Sequence, residues 1–271
     1  MPCCCGRGRP HSARCEIKLK TQAYAHRLHS LKISIVIPAF NEERLLAESL
    51  ACINTSCGAF ERAGFESELI VCDNNSTDRT AEIARATGAT VVFEPVNQIG
   101  RARNTGAAAA GGEWLLFVDA DSKPSAELFT EVTEQIRSGR CLAGGCTLRL
   151  EGNHRIPNFV TRVWNWKSRQ RRWLAGSFIF VETAVFRKIG GFSGEFYAGE
   201  ELDLSKRLNA LAKETGREVV ILHRHPLLTS DRKVRLYSGL EYLRFMIKVA
   251  ISRQRTLRDK SACYPWYDGR R

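Results

Sequence analysis

No stretch of 18 or more consecutive apolar residues occurs in this chain, so no membrane-spanning helix is predicted. The first thirty residues also lack a continuous apolar core, which argues against a secretory signal. There is no Walker loop and no strict G-x-G-x-x-G between a strand and a helix. P-loop hydrolysis and dinucleotide cofactors are therefore disfavoured. No internal repeat is visible. Cysteine is not scarce, at ten, but its spacing matches no zinc-ligand pattern: Cys3, Cys4, Cys5 and Cys15 crowd the start, while Cys52/Cys57 and Cys141/Cys146 each enclose four residues. A chain of 271 residues buries a sizeable core without staples, so the thiols are expected to be reduced and the protein cytoplasmic.

What is present in excess is positive charge, net +12. Residues 1–30 hold six basic side chains and one acidic, residues 31–222 hold 23 and 24, and residues 223–271 hold twelve and four. A nearly neutral body with basic ends fits a catalytic domain with attachments better than a surface built to bind nucleic acid. No nucleic-acid partner is expected.

Residues 1–31 show no sustained period and read as a disordered extension. From Ile33 the pattern is α/β. "ISIVIP", "ELIVCD", "TVVFE" and "WLLFV" are β-rich runs separated by helical stretches. Asn41 is read as the cap of the first helix and Ser76 or Thr77 as the start of the second. This alternation predicts a mostly parallel central sheet with helices on both faces. In such sheets ligands bind beyond the carboxyl ends of the strands, where Pro38 to Glu42, Asp73 to Ser76 and Asp119 to Asp121 fall. Further on, 124–138 and 199–216 read as helical, 155–173 as a basic helix or loop, and "REVVIL" (217–222) as the last strand. The domain is placed at 32–230, followed at 231–271 by a basic amphipathic helix and tail. That helix either lies on an anionic membrane or docks on the protein's own core.

The chemistry concentrates in "WLLFVDADSKP" (114–124). In an extended chain Asp119 and Asp121 share a face, and their repulsion is relieved by a cation between them. With Asp73, Arg101, Arg103 and the acidic run Glu200-Glu201-Leu202-Asp203, the set suits a nucleoside diphosphate held through a divalent ion and an arginine fork. Asp73 and Asn75 also read as a simple turn.

"ISIVIPAFNEE", "VCDNNSTDRTAEIA", "GRARNTGAAAAGGEWLLFVDADS", "GGF" and "GEELDLSKRL" follow one another in that order. Together they resemble the family 2 glycosyltransferases of GT-A fold, over roughly residues 32–230. The resemblance implies transfer of a sugar from a nucleotide-sugar donor, with inversion, to an acceptor sugar or lipid-linked acceptor. It places Pro38, Ala39, Phe40, Asn41 and Glu42 on the nucleoside-facing loop, and Asp73, Asn75, Ser76, Arg101, Arg103 and Asp119 around the donor. Asp121 becomes the chief ligand of Mg2+ or Mn2+, Asp119 is turned to the ribose or an arginine, and His223 or His225 stands at a third ligand position. Glu201 falls on the general base, with Glu200 and Asp203 as alternates. Trp173, Gly176 and Ser177 lie on the acceptor side. Family members commonly begin directly before a Lys and the first strand, so translation starting at Leu31 is a second reading of residues 1–30.

Two rival functions fit the sequence less well. A sugar nucleotidyltransferase needs a Gly-rich, Lys-bearing first loop, which "IPAFNEERLL" lacks. A non-catalytic basic membrane- or nucleic-acid-binding module has no use for Asp119, Asp121 and Glu201. Between Glu151 and Glu182 stand six basic residues, no acid and three tryptophans, a composition suited to an anionic acceptor, a lipid headgroup or stacked sugars. Peripheral attachment to the inner face of a membrane is accordingly an expected option.

Overall fold

The computed structural model describes residues 31–152, 155–232 and 255–263. Residues 1–30 and most of the predicted amphipathic helix beyond 231 lie outside them. The elements are β1 (Lys32–Ala39), α1 (Leu46–Arg62), β2 (Glu66–Asp73), α2 (Thr80–Ala86), β3 (Thr90–Phe93), α3 (Ile99–Ala108), β4 (Trp114–Val118) and β5 (Ser122–Lys123), then α4 (Ala126–Ser138), β6 (Cys141–Leu150), α5 (Arg155–Arg171), β7 (Phe178–Glu182), α6 (Thr183–Lys188), α7 (Glu200–Thr215) and β8 (Glu218–Thr229). A short 3-10 turn follows at Arg255–Arg258.

One sheet runs through the molecule in the order β3-β2-β1-β4-β7-β6-β8-β5. β1 to β4 pair in parallel; β7 enters antiparallel between β4 and β6, and β5 closes the far edge antiparallel to β8. The continuous apolar runs of β1 and β4 follow from burial on both faces. On one face Ile33, Ile35, Ile37, Leu116 and Val118 pack with Leu50 and Phe60 of α1 and Phe129 of α4. On the other, Val36, Leu115 and Phe117 pack with Phe186, Phe192, Leu204 and Leu208. α3 crosses β1 so closely that a Cβ at Gly106 would stand 2.4 Å from Val36 Cγ1. Leu31, assigned to the extension, is buried in the first cluster.

The chain lays β2 and β3 on one side of β1 and then returns to lay β4 on the other. The loops leaving β1 and β4 diverge at this reversal and leave a crevice.

Three local readings are corrected, and one short strand is added. α1 starts at Leu46 with no side-chain cap, because the β1–α1 loop first turns on Glu42, whose carbonyl accepts from Leu45 and Leu46. α2 starts at Thr80, where Asp78 Oδ1 accepts from Thr80 N at 2.9 Å, so Ser76 and Thr77 stay in the loop. β5 is a two-residue strand that only its partner β8 defines. β8 itself continues past Leu222 to Thr229, with a register irregularity opposite Cys146 to Leu148.

Among the described residues the six cysteines are free. Burial raises the thiols of Cys57 to about 11 and of Cys72 and Cys141 to about 12.

Candidate active site

The crevice is lined by the three strand-end loops and by the start of α7. Its centre is Arg103, a residue of α3 that is only 1% exposed. One Nη donates to Asp119 Oδ1 at 2.8 Å and to the Gly176 carbonyl at 2.9 Å. The other donates to the buried Glu200 carboxylate, and the guanidinium stands 5.2 Å over the Phe192 ring. Its Nε is buried without a hydrogen-bond partner, so the two Nη groups alone hold the head. Burial by itself would lower the Arg103 pKa, but the carboxylates of Asp119, Glu200 and Glu201 hold it above the ordinary arginine value.

Gly199 precedes α7 at φ 74°, in the left-handed region that favours glycine. Glu200, Glu201 and Asp203 all fall in the first turn of α7, yet they meet three different environments. Glu200 is spent on Arg103. Asp203 turns along the helix to Arg207, accepting from Nε at 2.8 Å. Among the described residues no ion pair reaches Glu201; burial first, and then the Glu200 charge, push its carboxyl up to about 8.

The expectation that Asp119 and Asp121 stand side by side is not met. The chain turns immediately after Val118, with Ser122 N donating to the Asp119 carbonyl at 3.1 Å, so the strand's two-residue repeat no longer applies. Asp119 faces Arg103, while Asp121 Oδ2 lies 3.5 Å from Arg232 Nη2. Arg232 also grips Glu42 with two bonds of 2.7 Å. Glu42 therefore turns to Arg232 at the Asp121 end of the crevice.

The other predicted residues divide. Pro38 and Ala39 end β1 in the core, and Phe40 follows half-buried. Asn41, at φ 53°, does not cap α1; it accepts from Thr77 N at 2.8 Å and donates its own N–H to Ser76 Oγ at 3.0 Å, joining the loops after β1 and β2. Asp73 Oδ1 accepts from Ser76 N at 3.0 Å, a local turn that leaves Asn75 exposed at φ 67°. Arg101 points outward and pairs with Glu94 at 3.2 Å. The Ser177 carbonyl accepts from Asp119 N at 3.2 Å. Trp173 lies half-buried against Trp164, with ring centroids 6.3 Å apart.

His223 is exposed in the register irregularity of β8, between Leu222 opposite Cys146 and Leu227 opposite Leu148, whereas β8 meets the Asp121 segment through Leu228 and Thr229, opposite Lys123 and Ser122. His225 is engaged elsewhere, its Nδ1 2.7 Å from Glu131 Oε1. Among the described residues no group of three His, Cys, Asp or Glu side chains is arranged to hold a metal unaided.

Sequence reading missed Arg232, Asn74 and Gln98. Buried Asn74 donates to the Glu94 and Val96 carbonyls and accepts from Gln98 N; Gln98 Nε2 donates to the Gly194 and Phe196 carbonyls at 2.8 Å. These amides tie the β2 loop, through the β3–α3 loop, to the segment that precedes Gly199. The adjacent pair "NN" at 74–75 was the available signal, and Arg232 carried none among its basic neighbours.

Residues 34–189, more than half of the chain, match Glycosyl transferase family 2. The chain belongs to that family. A curated relative within reach, an uncharacterised glycosyltransferase of Mycobacterium tuberculosis, is 33% identical over 141 residues, 51% of this chain and 60% of that one. The match thus spans less than two thirds of that relative's length. Among solved structures, the Pyrobaculum calidifontis mannosyltransferase PcManGT in complex with GDP-Man and Mn2+ is similar at TM-score 0.63 and 17% identity, covering 89% of this chain and 70% of that one. Glucosyl-3-phosphoglycerate synthase from Mycobacterium tuberculosis, in complex with Mn2+, UDP-Glc and phosphoglyceric acid, gives TM-score 0.56 at 21% identity, covering 91% and 85%. S. aureus TarS gives 0.58 at 20%, covering 88% and 78%. At these identities the likeness is one of fold, and this family 2 chain has the GT-A fold.

Proposed function

We propose that this family 2 protein transfers a sugar from a nucleoside-diphosphate sugar to an acceptor hydroxyl, with inversion and with Mg2+ or Mn2+. The observation that carries the reading is the unequal fate of three neighbouring acids. Asp119 and Glu200 are hydrogen-bonded to Arg103, while Glu201 makes no ion pair among the described residues and burial pushes its carboxyl up to about 8 at the same crevice. A raised carboxyl pKa is what general-base chemistry on a hydroxyl requires.

In the transfer, the acceptor hydroxyl oxygen forms a bond to the anomeric carbon from the face opposite the leaving group. The bond from that carbon to the phosphate oxygen breaks, and its electron pair leaves with the nucleoside diphosphate. The hydroxyl proton passes to Glu201. Asp73 and the loop it closes face the donor's nucleoside end, and Arg103 fixes Asp119 and Glu200 so that neither drifts during turnover. The acceptor, a sugar or a lipid-linked hydroxyl, approaches past Trp173 to Ser177.

The Asp121 carboxylate fits a hard divalent cation. It offers oxygen on a strand-end loop, is partly accessible, and leaves further positions for diphosphate oxygens and water. Such an ion would be held by Asp121 and would neutralise charge on the departing diphosphate. PcManGT and glucosyl-3-phosphoglycerate synthase, solved with Mn2+ and nucleotide sugars, support this choice.

The test begins with thermal shift across nucleotide sugars, with and without Mn2+. Glu201→Gln is expected to keep the donor-induced shift and lose transfer by roughly 10²- to 10⁴-fold. Asp121→Asn is expected to lose the metal-dependent part of the shift. Wild-type transfer at full rate in EDTA would remove the metal from the scheme, and unchanged transfer by Glu201→Gln would move the base elsewhere.

A further inference from the structure

α5 (Arg155–Arg171) is inside out. Its inward face is polar: Asn165 donates to the Leu148 carbonyl at 2.8 Å and accepts from Leu148 N at 2.9 Å, pinning the helix to β6. The buried Ser168 donates to the Trp173 carbonyl at 2.6 Å. The outward face carries Ile156, Phe159, Val160, Val163 and Trp166, which are 38–78% exposed. Their spacing of three and four residues sets them in one continuous stripe. A surface helix ordinarily has the opposite arrangement.

The stripe is framed by positive charge. Around the helix, Arg155, Arg162 and Arg169 fall along one edge and Lys167 and Arg171 along the other, all of them exposed. No acid stands anywhere between Glu151 and Glu182. A convex apolar ridge with aromatic side chains and basic borders matches an anionic lipid surface, where the apolar face enters the acyl boundary and the cations meet headgroups. The charges disfavour two other occupants. A second copy of this chain would bring the same five cations against these. Residues 233–254 of the chain itself carry five basic residues and one acid, again the wrong sign.

We propose that α5 is the face by which the protein docks on an anionic bilayer, its apolar stripe inserted and its basic edges on the headgroups. The docking is independent of the glycosyl-transfer reading and is measured without turnover.

The full chain is floated with phosphatidylcholine vesicles and with vesicles containing about a third phosphatidylglycerol. Wild type is expected to float with the anionic vesicles, to be released by salt, and to bind neutral vesicles weakly. The double variant Phe159→Ser/Trp166→Ser is expected to lose roughly tenfold or more of the anionic partitioning while its melting point and donor-induced shift stay at the wild-type values. Arg162→Gln/Arg169→Gln is expected to reduce the salt-sensitive part. Failure of wild type to float on anionic vesicles overturns the proposal. So does unchanged flotation of the Phe159/Trp166 variant, which would pass the role to another segment. A wild-type dimer that the same variant converts to monomer in sedimentation velocity would show a second copy on the stripe and would equally overturn it.

Discussion

Two arginines divide Asp119 and Asp121 between them, and they do it in unlike ways. Arg103 comes from α3, is completely enclosed, and is held by two carboxylates, a carbonyl and an aromatic face. Arg232 stands three residues beyond β8 with 17% of its side chain accessible, bound closely to Glu42 and loosely to Asp121. The first is a structural knot whose charge has nowhere to go. The second is a clasp whose weaker contact falls on the carboxylate that the proposed function gives to the metal, and a cation already beside that carboxylate makes a second one costlier to bring in. Under that proposal a fixed side that positions and an exchangeable side that would receive the ion are built from the same residue type placed at different depths.

Removing the knot should have the larger effect. Arg103→Ala leaves Asp119 and Glu200 facing each other without compensation beside Glu201, and is expected to cost about 3–5 kcal/mol of stability, read by denaturant unfolding. Arg103→Lys should rescue little, because one ammonium cannot fork across both acids. Arg232→Ala is expected to cost less, about 1.5–3 kcal/mol, and to strengthen donor-free Mn2+ binding in calorimetry by taking one cation from beside Asp121. If Mn2+ affinity fell instead, Arg232 would be helping to shape the ion site rather than competing for it.

The Glu201 carboxyl gives the comparison a pH signature. Its pKa stands near 8 in the folded chain against an ordinary 4.5, so the folded state holds the proton more tightly. The resulting stability is complete below about 4.5 and is lost as pH rises through about 8. Glu201→Gln removes that slope, and its melting point is expected to gain on wild type from about pH 4.5 to about pH 8 and to level off above. The smallest effect is expected at Asp203, whose partner Arg207 lies one helical turn away on a part-exposed face. Asp203→Ala should change stability by about 0.5 kcal/mol and leave transfer unaltered, which would confirm that it is not the base.

The parallel half of the sheet was legible because each of its strands is an apolar run that local composition defines, and because the fold must deliver its strand ends to one edge. The start of α7 was legible for a similar reason, as a Gly followed by an acidic turn. What escaped depends on contacts between distant segments. β5 is two residues made into a strand by β8, and β8 continues beyond Leu222 because β6 takes it up again at Leu227 to Thr229 after a register irregularity, not because its own pattern continues. Asn41 satisfies the rule for a helix cap and instead bonds the neighbouring loop. Arg232 finds Glu42 across 190 positions of sequence, a partnership no local signal announces. In α5 the basic, tryptophan-bearing composition was visible, but which face turns inward is decided by Asn165, whose side chain bonds Leu148 of β6.

Leu257 and Cys263 pack with Phe196 and Ala198, and the Leu257 carbonyl accepts from Tyr197 N at 2.7 Å, directly before the Gly199 turn that sets the α7 acids. The backbone that leaves the Asp121 side at Arg232 thus re-enters the body beside the Glu201 side. The turn that aims the α7 acids is thus braced from beneath by a much later part of the chain, and shortening Leu257 would loosen Gly199 without touching any charged group of the site.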